Sequence, residues 1–112
     1  MADAITKNYV IEQVKKILPI EADETSVYND QLDILVSGAI SKLRTEGVDI
    51  EAKDKDGEYI FTADNYVSSD YVICIGYQVM KDMDFDVDMN FMTEQYITRI
   101  GTLRCYLLVK QH

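Results

Sequence analysis

Apolar residues recur at helical spacing in four stretches of the chain. The first predicted helix begins after Thr6, a good N-cap, and ends before Pro19, because a residue preceding proline is disfavoured in the α region. The second runs from about Ser26 to Glu46, shows the strongest periodicity, and is followed by Gly47, a natural C-terminal stop. The apolar positions of these two helices are Tyr9 or Val10, Val14, Ile17 with Leu18, and then Tyr28, Leu32, Leu35 with Val36, Ala39 with Ile40, and Leu43.

Two further helices are predicted in the second half of the chain. Asp64, Ser68 or Asp70 could cap a third helix. A fourth is expected from about Thr93 to Val109. The apolar positions of these helices are Val72, Ile75 with Gly76, Val79 with Met80, and Met83 in the third, and Tyr96, Ile100, Leu103 and Leu107 in the fourth.

The stretch between the second and third helices has a different periodicity. Val48, Ile50 and Ala52 alternate with polar residues, and an Asp-Gly turn at 54–57 precedes the apolar segment 59–62. Alternation around such a turn indicates a hairpin or a structured loop, although two strands alone are only marginally stable. The predicted fold is therefore mainly α: one small four-helix domain, residues 1–112, with a long loop or short β-hairpin between the second and third helices.

Acidic and apolar residues alternate from 82 to 91. An EF-hand calcium loop needs Gly at its sixth position and Glu at its twelfth, and no start at Asp82, Asp84 or Asp86 supplies both. In an extended segment the alternation would place the apolar side chains on one face and the acids on the other. Such a segment could lie along a neighbouring subunit or pack as an ordinary connector on its own domain. The inter-subunit candidates are Phe85, Asp86, Asp88 and Phe91.

Little in the sequence favours catalysis. His112 is the only histidine and the last residue. We therefore expect neither a histidine general base nor a metal site with several histidines. Asp30 and Asp33 lie one helical turn apart, but on the polar face of the second helix. The five glycines are scattered and form no phosphate-binding loop. We expect neither enzymatic activity nor a cofactor or metal.

Composition indicates a folded cytoplasmic protein with reduced cysteines. The chain is 47% hydrophobic and 28% charged, values typical of a soluble domain. Cys74 and Cys105 both lie among apolar residues without metal-ligand spacing, so both are expected to be buried thiols. No apolar run is long enough to span a membrane, and the first residues lack the features of a signal peptide.

Charge is distributed unequally along the chain. The net charge is −9, and every acidic residue lies at or before Glu94, whereas the segment from Gln95 to His112 is basic and amphipathic. Unlike ends favour head-to-tail association or insertion of one end into a differently charged partner. The acidity opposes binding to nucleic-acid phosphates, but an acidic wall would let DNA pass without adhering, and an acidic surface can also mimic DNA.

The order of these elements resembles the head–tail connector proteins of tailed bacteriophages, also called adaptor or head-completion proteins. The resemblance rests on Ile5-Thr6, the Val14-Lys-Lys-Ile-Leu18 block with Ile20, the acidic connector, Leu32, Leu35-Val36, Ala39-Ile40, a variable loop, and helices like Tyr71–Met80 and Tyr96–Leu108. The alternation at 82–91 departs from the usual pattern.

The resemblance implies a structural virion protein at the head–tail interface, assembled in the host cytoplasm. Such subunits form a homo-oligomeric ring, typically of twelve copies, beneath the portal protein. The ring extends the DNA channel and carries a stopper or tail-completion protein, while DNA passes through without specific binding. No membrane is involved.

Family members grip the portal with a C-terminal segment, which here corresponds to Arg104–His112. The partner-binding candidates are Arg99, Arg104, Leu108, Lys110 and His112. The candidates for a loop that meets the channel or the next ring are Asp54, Lys55, Asp56 and Gly57. Deleting Arg104–His112 is expected to leave the fold largely intact and abolish portal docking. The alternative function is a small acidic inhibitor or DNA mimic that binds a nucleic-acid enzyme.

Overall fold

A computed structural model of the chain describes residues 5–18, 29–62, 67–83 and 89–111. These residues form four helices: α1 (Lys7–Ile17), α2 (Asn29–Thr45), α3 (Val67–Asp82) and α4 (Met89–Gln111). Helix α3 contacts each of the other three, and α1 also contacts α2. The prediction of a mainly α, four-helix domain is confirmed.

The first two helices begin and end at residues whose local chemistry explains the boundary. The Thr6 side chain accepts a hydrogen bond from the Tyr9 amide at 3.1 Å, as an N-cap does. Leu18, the residue before Pro19, is extended, and the helix ends there. Gly47 adopts φ +93°, and the Val48 amide donates to the Leu43 carbonyl at 2.8 Å, which closes α2 in a Schellman arrangement. Residues 26–28, where α2 was predicted to begin, lie outside the described residues.

The core lies on the predicted apolar stripes. Val10, Val14, Leu32, Val36 and Leu43 are fully buried between α1, α2 and α3. Tyr71 and Cys74 of α3 are also completely buried, although neither lies on the stripe predicted for that helix. Because α3 is covered by all three other helices, it buries more than one face.

The segment from 46 to 62 is a structured loop rather than a hairpin. Its described residues contain one isolated antiparallel bridge, between Lys53 and Tyr59, and no strand. Val48, Ile50, Ile60 and Phe61 are buried and fix the loop to the helices. Apolar anchoring, rather than a strand ladder, therefore holds this loop in place.

The predicted cap of α3 is corrected by the structure. Because α3 begins at Val67, Ser68 and Asp70 lie inside the helix and do not cap it. The Ser68 hydroxyl instead donates to the Thr62 carbonyl at 2.6 Å and fastens the loop to α3. Asp64, the third cap candidate, lies outside the described residues.

The remaining corrections concern residues 82–91. Asp82 ends α3 and Met89–Phe91 open α4, so the predicted extended segment is wrong at both of its ends. Helix α4 is correspondingly longer than the predicted range 93–109. Phe85, Asp86 and Asp88 lie outside the described residues.

Candidate docking surfaces

One face of α4 is fixed by the core. Met92, Ile100, Leu103 and Leu107 are buried, and α3 is the helix against which α4 packs. Leu107 is only 4% exposed, so the core continues almost to the end of the helix. The basic segment predicted to bind a partner therefore contains core residues as well as surface residues.

Two of the predicted partner-binding cations make contacts within the fold. The Arg99 guanidinium pairs with the Asp70 carboxylate of α3, and both side chains are more than two-thirds buried. The Arg104 Nε donates to the Glu46 carbonyl just after α2. Each contact joins α4 to another part of the molecule, so both arginines position the helix whatever else they bind.

Glu46 bonds to two side chains of α4, and the sequence analysis did not predict these contacts. Its carboxylate accepts a hydrogen bond from the Tyr96 hydroxyl at 2.8 Å, and its carbonyl accepts from Arg104. Lys42 Nζ lies 3.5 Å from the other carboxylate oxygen. Burial and the bond to Glu46 raise the pKa of Tyr96 above its ordinary value. No local sequence signal could have revealed contacts between residues so far apart along the chain.

The last turn of α4 projects beyond the core. Leu108 and Val109 are 59% and 74% exposed, and the Lys110 ammonium lies 5.5 Å from the centre of the Tyr106 ring. His112 lies outside the described residues. Two neighbouring apolar side chains and an ammonium group thus form an exposed, mixed apolar and basic end, which we call the α4 tip (Leu108–Lys110).

A second exposed strip follows the side of α4 that points away from the core. We call the residues Ile97, Gly101 and Cys105 the α4 outer face. Ile97 is 65% exposed, and a Cβ at Gly101 would meet no neighbouring atom. Phe91, the inter-subunit candidate that is described, is 55% exposed on the same helix. Cys105 is exposed as well, which corrects the expectation that both cysteines are buried.

Cys74 matches that expectation. It is completely buried in α3, and burial raises the pKa of its thiol to about 12. The Arg99 charge lowers this pKa by a smaller amount, and the charges of Asp70 and Glu46 raise it slightly. A thiol with such a pKa stays protonated near neutral pH and is a poor nucleophile. Both cysteines are free.

Helix α2 carries an outer face of its own. Ile34 is 71% exposed, Gly38 has open space at its Cβ position, and Ser41 is exposed one turn further on. We call these three residues the α2 outer face. Ile34 falls off the predicted apolar stripe of α2, and that offset is a sequence signal for an outward-facing apolar residue.

The predicted loop candidates form a well-defined turn. The Asp54 carboxylate accepts from the amides of Asp56 and Glu58 at 2.9 and 3.0 Å. Gly57, at φ +83°, donates to the Asp54 carbonyl. Lys55, Asp56 and Gly57 are exposed at the tip, so the turn presents a fixed, charged end to its surroundings.

The described residues offer no cluster typical of a metal site. Among them, no group of three or more histidine, cysteine or acidic side chains is placed to hold a metal ion. Asp33, one of the paired carboxylates in the sequence, lies 2.9 Å from Lys7 Nζ and joins α2 to α1. None of the described helices is both long and apolar enough to cross a membrane.

Comparison with known proteins gives no match for this chain among protein-family models, curated proteins or solved structures.

Proposed function

We propose that this chain is a structural subunit of a phage head–tail connector. In this proposal, copies of the chain form a ring beneath the portal protein, extend the DNA channel, and carry a stopper or tail-completion protein. The proposal rests on the resemblance of the element order to that family and on the exposed surfaces of α4. It requires no chemical step, cofactor or metal.

The α4 tip is the observation that carries the proposal. Leu108 and Val109 expose apolar area that the chain's own core leaves uncovered, and Lys110 adds a positive charge beside it. Exposed apolar groups next to a charge are typical of protein-docking sites. The tip is therefore the proposed portal-binding segment, and Arg99 and Arg104 hold the helix that presents it.

The charge of the rest of the chain is compatible with a DNA channel. Between residues 46 and 58 there are six acidic side chains and two lysines. A surface of this sign repels phosphates, so DNA passing a ring of such loops would not be retained. We assign the turn at 54–57 to the channel or to the contact with the next ring.

Portal binding tests the proposal, and the structure refines the truncation to use. Deleting Arg104–His112 would remove Leu107 from the core and the Arg104 bond to Glu46, so that variant is expected to lose stability. Deleting only 108–112 removes no residue that the structure places in the core. The shorter truncation should keep the helical circular-dichroism spectrum and unfolding midpoint while losing binding to the portal encoded in the same genome.

A matched control is the charge change Lys55→Glu at the loop tip, far along the chain from α4. This variant should bind the portal as the wild type does. Normal portal binding by the 108–112 truncation would remove the assignment of the tip, and failure of the wild type to bind would remove the proposed function.

The acidic loop also favours one alternative, an inhibitor that mimics DNA. In that case a basic nucleic-acid enzyme should be captured by the protein, with affinity that falls steeply as salt rises. Lys55→Glu would then strengthen capture, whereas the 108–112 truncation would leave it unchanged.

A further inference from the structure

The α2 and α4 outer faces cannot cover each other within one copy. Helix α3 contacts both α2 and α4, while these two helices make no close backbone contact over their described lengths. Each outer face lies opposite the buried face of its own helix. One molecule therefore exposes two separate helical surfaces.

The two faces have matching shapes. Each has an exposed isoleucine four residues before a glycine whose Cβ position is open: Ile34 and Gly38 on α2, and Ile97 and Gly101 on α4. Residues four apart lie on the same side of a helix, so each isoleucine forms a ridge beside a glycine notch. A ridge of one helix can enter the notch of the other, which lets the two backbones approach closely.

The charges beside the notches select the direction of packing. With a rise of about 1.5 Å per residue, Glu94 lies about 10 Å before Gly101, and Arg44 lies about 9 Å after Gly38. When the helices are antiparallel and the glycines face each other, these opposite charges are level with each other. Arg104 then lies within about 3 Å, along the axis, of the level of Asp33.

Parallel packing would give the opposite result. Glu94 would lie near the level of Asp30, and Arg104 near the level of Lys42, so like charges would face each other. Like charges across an interface exclude the wrong arrangement more strongly than opposite charges add affinity. The charge pattern therefore fits an antiparallel partner.

We propose that the α4 outer face of one copy packs antiparallel on the α2 outer face of a second copy. Because the contact joins two different surfaces, each copy keeps one free face for the next copy, as a ring requires. The inference rests on the proposed function only in identifying this contact as the contact between neighbouring subunits of the connector ring.

A disulfide cross-link tests the contact directly. In the antiparallel arrangement Ile34 and the partner copy's Cys105 lie at the same level, each about 6 Å from its glycine. The variant Ile34→Cys, oxidised mildly at high protein concentration, should give a ladder of covalent dimers, trimers and larger species on a non-reducing gel. Reduction should return the ladder to monomer. The buried Cys74 should take no part.

Asn8→Cys serves as the matched control, because it places an exposed thiol on α1 and leaves Cys105 in place. It should cross-link much more slowly than Ile34→Cys. Adding Glu94→Arg to Ile34→Cys should slow the ladder about tenfold by facing Arg44 with a like charge, and Arg44→Glu should then restore it. Glu94 is exposed, so its change leaves the fold of one copy undisturbed. Because Arg44 also lies 3.7 Å from Asp49 within one copy, the circular-dichroism spectrum of the rescued variant should match that of Ile34→Cys.

The outcomes separate the interface from the proposed function. Bonds in the Ile34→Cys ladder that join Cys105 to Cys105, rather than Cys105 to the introduced thiol, would overturn the proposal in favour of a symmetric α4 contact. A ladder no faster than the Asn8→Cys control, both without and with portal, would also overturn it. If the portal still recruits a ring in that case, the connector function stands and only the interface is wrong. A ladder from a protein that does not bind portal would keep the interface and remove the connector function.

Discussion

Helices α3 and α4 both carry apolar side chains on more than one side, but only α3 has them covered. Tyr71, Cys74 and Val79 of α3 are completely buried because α1, α2 and α4 all pack against this helix. Among the described helices, α4 packs on α3 alone, and Ile97 and Leu108 remain exposed. A helix that is apolar on several sides is thus either a core helix or a helix awaiting a partner, and the number of neighbours decides which.

The largest test of this comparison uses one isoleucine from each helix. Ile75 of α3 is completely buried, so Ile75→Ala should lower the free energy of unfolding by about 2–5 kcal/mol. Ile97 of α4 is 65% exposed, so Ile97→Ala should change it by less than about 0.5 kcal/mol in the monomer. Chemical denaturation of both variants measures the difference. A similar loss for the two would contradict the assignment of Ile97 to an uncovered face.

The buried thiol of Cys74 in α3 should make the free energy of unfolding decrease at alkaline pH. Because burial raises the pKa of Cys74 to about 12, the folded state keeps this thiol protonated while the unfolded state ionises above about 9. Stability due to the protonated thiol is therefore complete below pH 9 and falls as pH rises, by about 1.4 kcal/mol per unit up to pH 12. Burial also raises the pKa of Tyr71, so its contribution begins to fall above about pH 10, where an unfolded tyrosine ionises.

Urea unfolding at pH 8, 9 and 10 measures this loss. Cys74→Ala should flatten the decline between pH 9 and 10, whereas Cys105→Ala, which removes an exposed thiol, should leave it unchanged. Identical pH profiles for wild type and Cys74→Ala would show that the thiol is not the group responsible.

The ion pair between α3 and α4 should matter more than an ion pair on the surface. Asp70→Ala leaves the Arg99 guanidinium without its partner in a site where it is only 28% exposed, and should cost about 1–2 kcal/mol of unfolding free energy. Lys7→Ala breaks the more exposed pair with Asp33, whose side chains are 38% and 58% exposed, and should cost less than about 0.5 kcal/mol. Thermal and chemical unfolding of the two variants would check this order. Equal costs would mean that the Arg99 contact does not fasten α4 to α3.

The smallest expected change in stability comes from replacing one glycine in each helix. Gly101→Ala places a methyl group in open space and should raise monomer stability by about 0.5–1 kcal/mol, because glycine is a poor helix former. Gly76 of α3 faces the Ile17 side chain closely, so Gly76→Ala must displace that side chain and should be the less stable variant of the two. A more stable Gly76→Ala would mean that α1 yields easily at this contact.

Much of the fold could be predicted from the sequence because its signals are local. Thr6, the proline after Leu18, and Gly47 set helix boundaries through the geometry of their own backbone and that of adjacent residues. The stripe of Leu32, Val36 and Leu43 follows from helical periodicity. The prediction of an extended segment at 82–91 was wrong at both ends. A short alternation of apolar and acidic residues is also compatible with helix, so it could not show that the first and last residues belong to the flanking helices.

The sequence by itself thus determined four helices, an acidic body and a basic last helix. Only the tertiary structure decided what those charges and apolar groups do. It placed Arg99 and Arg104 in contacts within the fold, gathered Tyr96 and Arg104 on Glu46, buried Cys74, and left Cys105 and Ile97 exposed. The physical reason is that periodicity and caps depend on near neighbours in the chain, whereas the covering of a second face depends on which distant helices pack against it.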